Sequence, residues 1–365
     1  MKKPVLIVSI LYKSRGGVGG MAQRFSYLGG YLTSRLDGFE VLTTKSLVDS
    51  LELKVNDKVK VIEDGGDLFS LKNFFVLSLV LSRILFRKYS QVHIAGAGRL
   101  IKIIMPLCKF SNTKVSCTFA SRTLEMASYG DRNAKKQWVE VLEAVDAIDV
   151  LNPSHDLKGW AEKISVSPCS FPSKRNLIDA CFSDMREETV VFCGALEKTK
   201  NPILALDIVD RYLELYGGGL SIVIFGSGSL KEQVENYAQK LNEKYVRNVV
   251  VFGEQSQLVS TLSKASVFFS LQEYDNYPSQ SMMEAMLLGC KVIATDEGDT
   301  RLMLPKDEAM NAVVASRESE DFMFSLHAAL SDSTASKINS KFIDESHSVE
   351  RFSDYFCGFV GLKES

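Results

Sequence analysis

The sequence has no framework for disulfides or for a thiolate-bound metal. Its seven cysteines are odd in number, and no two stand as C-x-x-C. A stapled secreted scaffold and a zinc ribbon are therefore excluded as organising principles, and a reducing compartment fits better. Histidine is scarce, and His93, His155, His327 and His347 show no metal-ligand spacing. No stretch of roughly 18 residues is free of charge, so no segment reads as a membrane span. The run at 5–11 reads as a strand entering a glycine-rich loop, not as the apolar core of a signal peptide. A cytoplasmic chain is the expectation. No G-K-[ST] closes a phosphate loop, and no G-x-G-x-x-G opens a dinucleotide site. Neither sign of charge dominates: 43 Lys and Arg face 45 Asp and Glu, a net charge of −2. A broad electrostatic footprint for nucleic acid is thereby excluded.

What is present describes an ordinary globular chain. Its 365 residues, 45% hydrophobic and 24% charged, suit two domains of roughly 150–200 residues each. Short apolar runs at 4–11, 39–42, 59–62, 91–94, 114–119 and 147–151 alternate with amphipathic stretches. Such alternation predicts an α/β chain whose parallel strands are covered on both faces. The pattern loosens from about 164 to 188, among Ser165, Pro168, Ser170, Pro172 and Ser173. A second series follows, with strands at 189–193, 220–225, 249–252, 266–271 and 291–295. The helix at 202–216 is opened by Asn201 as a cap with Pro202 at its first position. The organisation expected is a domain over 1–170, a linker over 171–188 and a second domain over 189–345. A last helix lies within 346–365. Two doubly wound domains in tandem generally bind ligand between them, at the carboxyl ends of their strands.

The densest set of polar and apolar signals lies at 270–301. An acidic loop, Gln272-Glu273-Tyr274-Asp275-Asn276-Tyr277-Pro278, follows a buried strand. It leads into the helix Ser279–Leu288, which Gly289 stops. The strand Val292-Ile293-Ala294-Thr295-Asp296 and the loop Gly298-Asp299-Thr300 come next. Helix starts offer unpaired N–H groups that suit a phosphate. Glu284 is the one charge in a largely apolar helix, and a buried carboxylate there needs partners such as the hydroxyls of a ribose. The plain structural alternative is a capped helix with one surface glutamate.

This stretch resembles the carboxyl-terminal signature of the family 4 glycosyltransferases, a retaining family of the GT-B fold. That signature reads E-G-x-x-x-P/L-x-x-E-A-M-A-x-G-x-P-V-I-A-S/T-D, and Glu284-Ala285-Met286, Gly289 and Val292–Asp296 follow it closely. The resemblance implies that Glu284 holds the donor ribose. The family's first glutamate, which contacts the transferred sugar, aligns with Asn276, and a one-residue shift of the loop would bring Asp275 to that role. Gly298-Asp299-Thr300 would face the donor diphosphate. Val190–Pro202 resembles the family's G-R-L-x-x-x-K element. Lys200 stands at the lysine that neutralises the diphosphate, while Ala195 stands where the family has an arginine. Lys198 or Arg301 would have to substitute for it. Fixed cations at that place offset leaving-group charge; the structural alternative for Lys198 and Lys200 is a solvated helix entry. Phe225-Gly226-Ser227-Gly228 resembles the family's G-x-G turn, although a tight turn alone would also explain it. Gly16-Gly17-Val18-Gly19-Gly20 resembles its first-domain glycine loop, with Gly17 and Gly19 against the donor phosphates.

The family's histidine after the fifth strand is missing, and Ser121 or Arg122 would stand in for part of its function. His93, on an earlier strand, reads more readily as structural. The fold implied is GT-B, two Rossmann-like domains facing across a cleft, with the last helix, near 352–360, returning to the first. The implied reaction moves a sugar from a UDP- or GDP-sugar to a hydroxyl of a glycan or lipid-linked glycan, with retention, in bacterial surface glycan synthesis. Neither metal nor other cofactor is called for. A catalytically inactive partner subunit with the same fold remains open because of Ala195. An epimerase fits less well for want of histidines, and a dehydrogenase for want of a dinucleotide fingerprint. The segment 68–88 carries only positive charges, Lys72, Arg83, Arg87 and Lys88, and Arg99, Lys102 and Lys109 follow. It reads either as a sheet-covering helix or as a peripheral contact with anionic lipid on the inner face of the membrane.

Overall fold

Valine- and isoleucine-rich runs without alternation become strands when helices cover both faces of a sheet. A computed structural model describes residues 3–10, 20–63, 70–95, 100–119, 139–151, 158–173, 183–275, 277–306 and 311–362, with residues 71, 72, 158 and 159 described by backbone alone. Two compact units emerge, one holding Met1–Ser14, Val18–Ser173 and Ser348–Ser365, the other chiefly Lys174–His347.

The first unit contains β1 (Val5–Val8), α1 (Gly20–Arg35), β2 (Phe39–Thr44), α2 (Lys45–Ser50), β3 (Val59–Ile62), α3 (Leu71–Leu85), β4 (Gln91–Ala95), α4 (Ile101–Ser111), β5 (Lys114–Phe119), β6 (Ala147–Val150) and β7 (Ile164–Val166). All seven strands are parallel, in the order β3-β2-β1-β4-β5-β6-β7. Alternate side chains serve two cores. Leu6 and Val8 join α3 and α4 on one face, and Val5 and Ile7 join α1 on the other. The helix Val349–Phe359 belongs to the second of these faces. Its Phe352 and Phe356 lie edge-on to Phe25 at 6.0 and 5.9 Å between ring centres.

The second unit contains β8 (Glu187–Cys193), α5 (Pro202–Tyr216), β9 (Ser221–Phe225), α6 (Lys231–Tyr245), β10 (Val250–Phe252), α7 (Leu258–Leu262), β11 (Ala265–Ser270), α8 (Gln280–Leu287), β12 (Lys291–Thr295), β13 (Ala312–Val314), α9 (Ser319–Ser331) and α10 (Lys337–Ser346). Its six strands are parallel in the order β10-β9-β8-β11-β12-β13. The order reverses between β8 and β11, the kind of switch point at whose strand ends open α/β sheets bind ligands.

Three local readings need correction. Part of the stretch read as a connection is built into the units. β7 closes the edge of the first sheet, and Arg186 is buried with its guanidinium donating to the carbonyls of Leu262, Ala265 and Leu288. Asn201 precedes α5 but does not cap it, because its backbone is left-handed (φ +51°) and its side chain makes no cap hydrogen bond. Strand β13 was not read from the sequence, since three half-buried residues carry too little pattern.

Candidate active site

The site is built from loops at the carboxyl ends of the second unit's strands. Ser279 sits in extended backbone before α8, and its Oγ accepts from the N–H of Met282 at 3.4 Å. That cap starts the helix after a loop containing proline. Met282, Met283, Ala285 and Met286 are buried, and Glu284 among them is only 4% exposed. Its carboxylate is thus no surface feature. A carboxylate is retained at such a place only where polar partners repay its desolvation.

At the switch point the loops after β8 and β11 are tied together. The Lys200 ammonium donates to Gln272 Oε1, and the N–H of Glu273 donates to the carbonyl of Thr199 at 3.1 Å. The loop after β12 joins them. Thr295 Oγ1 donates to the Gln272 carbonyl at 2.8 Å, and the N–H of Asp299 donates to Asp275 Oδ1 at 3.2 Å. Asp275 Oδ1 also accepts from the N–H of Tyr277 at 2.9 Å. Asp275 therefore clamps two loops, a structural duty that its catalytic reading did not include. The close fit explains Gly298. Its φ is +54°, and a Cβ there would lie 2.3 Å from Asp275 Cβ and Cγ.

The loop after β9 packs from the other side. The N–H of Gly194 donates to Phe225 at 3.0 Å, and the N–H of Leu196 donates to Ser227 at 2.9 Å. Gly226 has φ +149°, and a Cβ on it would lie 1.9 Å from the carbonyl oxygen of Gly194. The G-x-G turn is thereby accounted for by close backbone packing of two loops. Any approach to ligand comes in addition to that packing.

The structure brings Lys200, Asp275 and Asp299 into one network and places Glu284 in the adjoining helix. Lys198 is exposed in the short 3-10 turn Lys198–Lys200. Thr300 is buried with its hydroxyl donating to the Glu297 carbonyl at 2.6 Å. Arg301 is committed elsewhere, since its guanidinium grips Asp296 through two bonds of 2.9 and 2.8 Å. That leaves it poorly suited to replace the arginine missing at Ala195. Asn276, Gly17, Gly19, Ser121 and Arg122 lie outside the described residues.

Two site residues were not read from the sequence. Gln272 touches Lys200 across 72 positions, and Arg317 pairs with Glu297 while donating to the Glu273 carbonyl at 3.1 Å. A polar residue just beyond a buried strand was the available signal for Gln272. Nothing in the sequence around Arg317 marks its partners.

In the first unit His93 is fully buried. Its Nδ1 lies 2.9 Å from Ser116 Oγ and its Nε2 3.0 Å from Thr118 Oγ1. Phe25 stacks on the ring, and burial pulls its pKa down to about 3. Both nitrogens are occupied within the protein, as suits a structural residue. Thr118 continues to Asp149 Oδ2 at 2.8 Å. Ser167 and Tyr355 donate to Asp149 Oδ1 at 2.6 and 2.8 Å.

Residues 173–347 match the model of a family described as glycosyl transferases group 1. No curated protein matches the sequence. Among solved structures, the chain is similar to HepE of Anabaena in complex with UDP and glucose. The TM-score is 0.69 at 13% identity, over 99% of this chain and 100% of that one. A glycosyltransferase from Rickettsia africae superposes with a TM-score of 0.67 at 14% identity, over all of both chains. The catalytic domain of starch synthase IV from Arabidopsis thaliana, bound to ADP and acarbose, gives 0.68 at 12% over 99% of each. The fold of this chain is GT-B. The family match lies within the second unit and its borders.

Proposed function

We propose that this chain moves a sugar from a nucleotide-sugar donor to an acceptor hydroxyl, with retention at the anomeric carbon. The observation that carries the reading is the pair of features at the switch point. Lys200 is held by Gln272 there, and a buried carboxylate, Glu284, sits in the helix that leaves the same loop. A diphosphate leaving group gains negative charge as the glycosidic bond breaks, and a prepositioned ammonium and helix N–H groups offset it without reorganising. Lys200 and the start of α8 take that role. Glu284 accepts from the ribose hydroxyls, and Asp275 or Asn276 contacts the transferred sugar. Gly226, Asp299 and Thr300 shape the wall beside the diphosphate. Lys198 adds an exposed cation, and the assignment of Gly17 and Gly19 to the donor phosphates rests on the sequence resemblance. The reading gives no role to a metal ion, and activity unchanged by EDTA is its check. The donor is a UDP- or GDP-sugar. The acceptor is a glycan or lipid-linked glycan of a bacterial surface polymer, assembled on the cytoplasmic side.

A second reading is favoured by one observation. Ala195 cannot supply a cation, and Arg301 is held by Asp296. A donor-binding but inactive partner of an active transferase would show this pattern.

Thermal unfolding with UDP, GDP, ADP, CMP and their sugars tests both. A ligand bound only by the folded chain adds about 2.7 kcal/mol at a hundredfold excess over Kd. A shift with one nucleotide, lost in Lys200→Ala and Glu284→Ala, supports the donor site and identifies the base. Turnover of that donor then separates enzyme from inactive partner. No shift with any nucleotide overturns the donor assignment.

A further inference from the structure

Helices α3 and α4 cover the same face of the first sheet and share one core, to which they contribute Leu77, Val80, Ile84, Ile101, Ile104 and Cys108. Burying that stripe of α3 turns Phe75, Leu79 and Phe86 to the opposite side at helical spacing. They are 73%, 49% and 70% exposed, and Phe110 at the end of α4 is 79% exposed. Single exposed apolar residues are ordinary. Three aromatic rings and a leucine on the outer surfaces of two neighbouring helices are a patch that calls for a partner.

Charge says which partner. Residues 68–124 hold nine Lys or Arg and no Asp or Glu, in a chain whose net charge is −2. One of the nine, Arg83, is used inside the unit, where it pairs with Glu40 at 2.5 Å. Arg87, Lys88, Lys102 and Lys109 are exposed. Among the described residues none of these four takes part in an ion pair. Cations around protruding aromatic side chains match an anionic surface with an apolar interior. A bilayer asks for no groove and no shape complementarity, and the patch offers convex helix surfaces. The 15 residues of α3 span about 22 Å, short of the about 30 Å of a hydrocarbon core. No helix among the described residues is long and apolar enough to cross a membrane.

We infer that the outer face of α3 and α4 docks on an anionic lipid bilayer. Phe75, Leu79, Phe86 and Phe110 enter the boundary between headgroups and acyl chains, and Arg87, Lys88, Lys102 and Lys109 engage the headgroups. The inference stands on this surface alone and holds whether or not the chain transfers sugar.

Co-sedimentation of the full chain with lipid vesicles tests it. Vesicles of phosphatidylcholine alone are compared with vesicles in which about a third of the lipid is phosphatidylglycerol. Partitioning at low salt is expected to be at least about tenfold stronger on the anionic vesicles and to fall as salt is raised. Lys102→Glu with Lys109→Glu should weaken it by at least about twentyfold, and Phe75→Ser with Phe86→Ser by roughly tenfold. All four positions are exposed, so thermal midpoints should match the wild type. The salt titration of the unmodified chain carries the test should a variant fail to fold. Equal partitioning on both vesicles, none on the anionic ones, or binding indifferent to the charge reversal overturns the inference. Absence of binding to the anionic vesicles would turn attention to an acidic protein partner.

Discussion

The two units repeat one strand order at their centres and differ in where their polar networks are joined. In the first, His93, Ser116, Thr118, Asp149 and Ser167 lie within or beside strands β4 to β7, and Tyr355 reaches them from the carboxyl-terminal helix. Each of these hydrogen bonds ends on another protein group, and such buried networks rigidify a fold. The second unit also buries polar residues within its strands, Thr189, Ser266, Ser270, Lys291 and Thr295 among them, but it gathers a further set beyond their carboxyl ends. Lys200, Gln272, Asp275 and Asp299 tie three loops together there. The contrast teaches that a perturbed titratable group is a poor guide to function in this chain. The most strongly shifted histidine is structural, and the proposed donor site is marked by position at the switch point.

The comparison breaks most visibly if the first network is emptied. Asp149→Leu leaves the hydroxyls of Thr118, Ser167 and Tyr355 unsatisfied, and about 3–5 kcal/mol of unfolding free energy should be lost in denaturant melts. Tyr355→Phe should lose about 1 kcal/mol. Nucleotide-induced thermal shifts should persist in any folded fraction of either variant. Lys200→Ala is the converse. It should lower kcat by about 10²–10³ and leave the midpoint of the free protein nearly unchanged. Gln272→Leu should cost roughly tenfold in kcat, because the ammonium loses its guide while keeping its charge.

The last effect is in pH. Burial holds His93 near 3, against 6.5 for an ordinary histidine. Below pH 6.5 the unfolded chain therefore takes up the proton first. The stability that rests on neutral His93 is complete above that pH and declines as pH falls toward 3, by at most about 1.4 kcal/mol per pH unit. Asp149 works against this. Burial raises its pKa, so the folded chain gains a proton earlier than an ordinary carboxylate would, and part of the loss is offset. His93→Gln should flatten the decline between pH 7 and 5 in urea melts. An unchanged slope would mean that the histidine is not buried neutral.

Much of the second unit was legible in sequence because its signals are local. Pro202 at a helix start, Gly289 as a stop and the apolar strands at 189–193 and 291–295 each follow from the conformational limits of a few adjacent residues. Glu284 stood out for the same reason, as one charge in an apolar helix. The cap assigned to Asn201 failed because a left-handed backbone turns the side chain away from the helix. That angle depends on how the preceding turn packs.

The sequence by itself determined the α/β class and the two series of parallel strands, which depend on periodicity, while Lys200 and Glu284 were singled out by resemblance to a family signature. Tertiary structure alone decided that Asp149 meets Tyr355 across 206 positions, that Gln272 receives Lys200, and that Arg301 is spoken for by Asp296. It also decided which side of α3 is left uncovered. Hydrogen bonds and burial of this kind join residues that only the packing of distant elements brings within reach, and no local pattern encodes that distance.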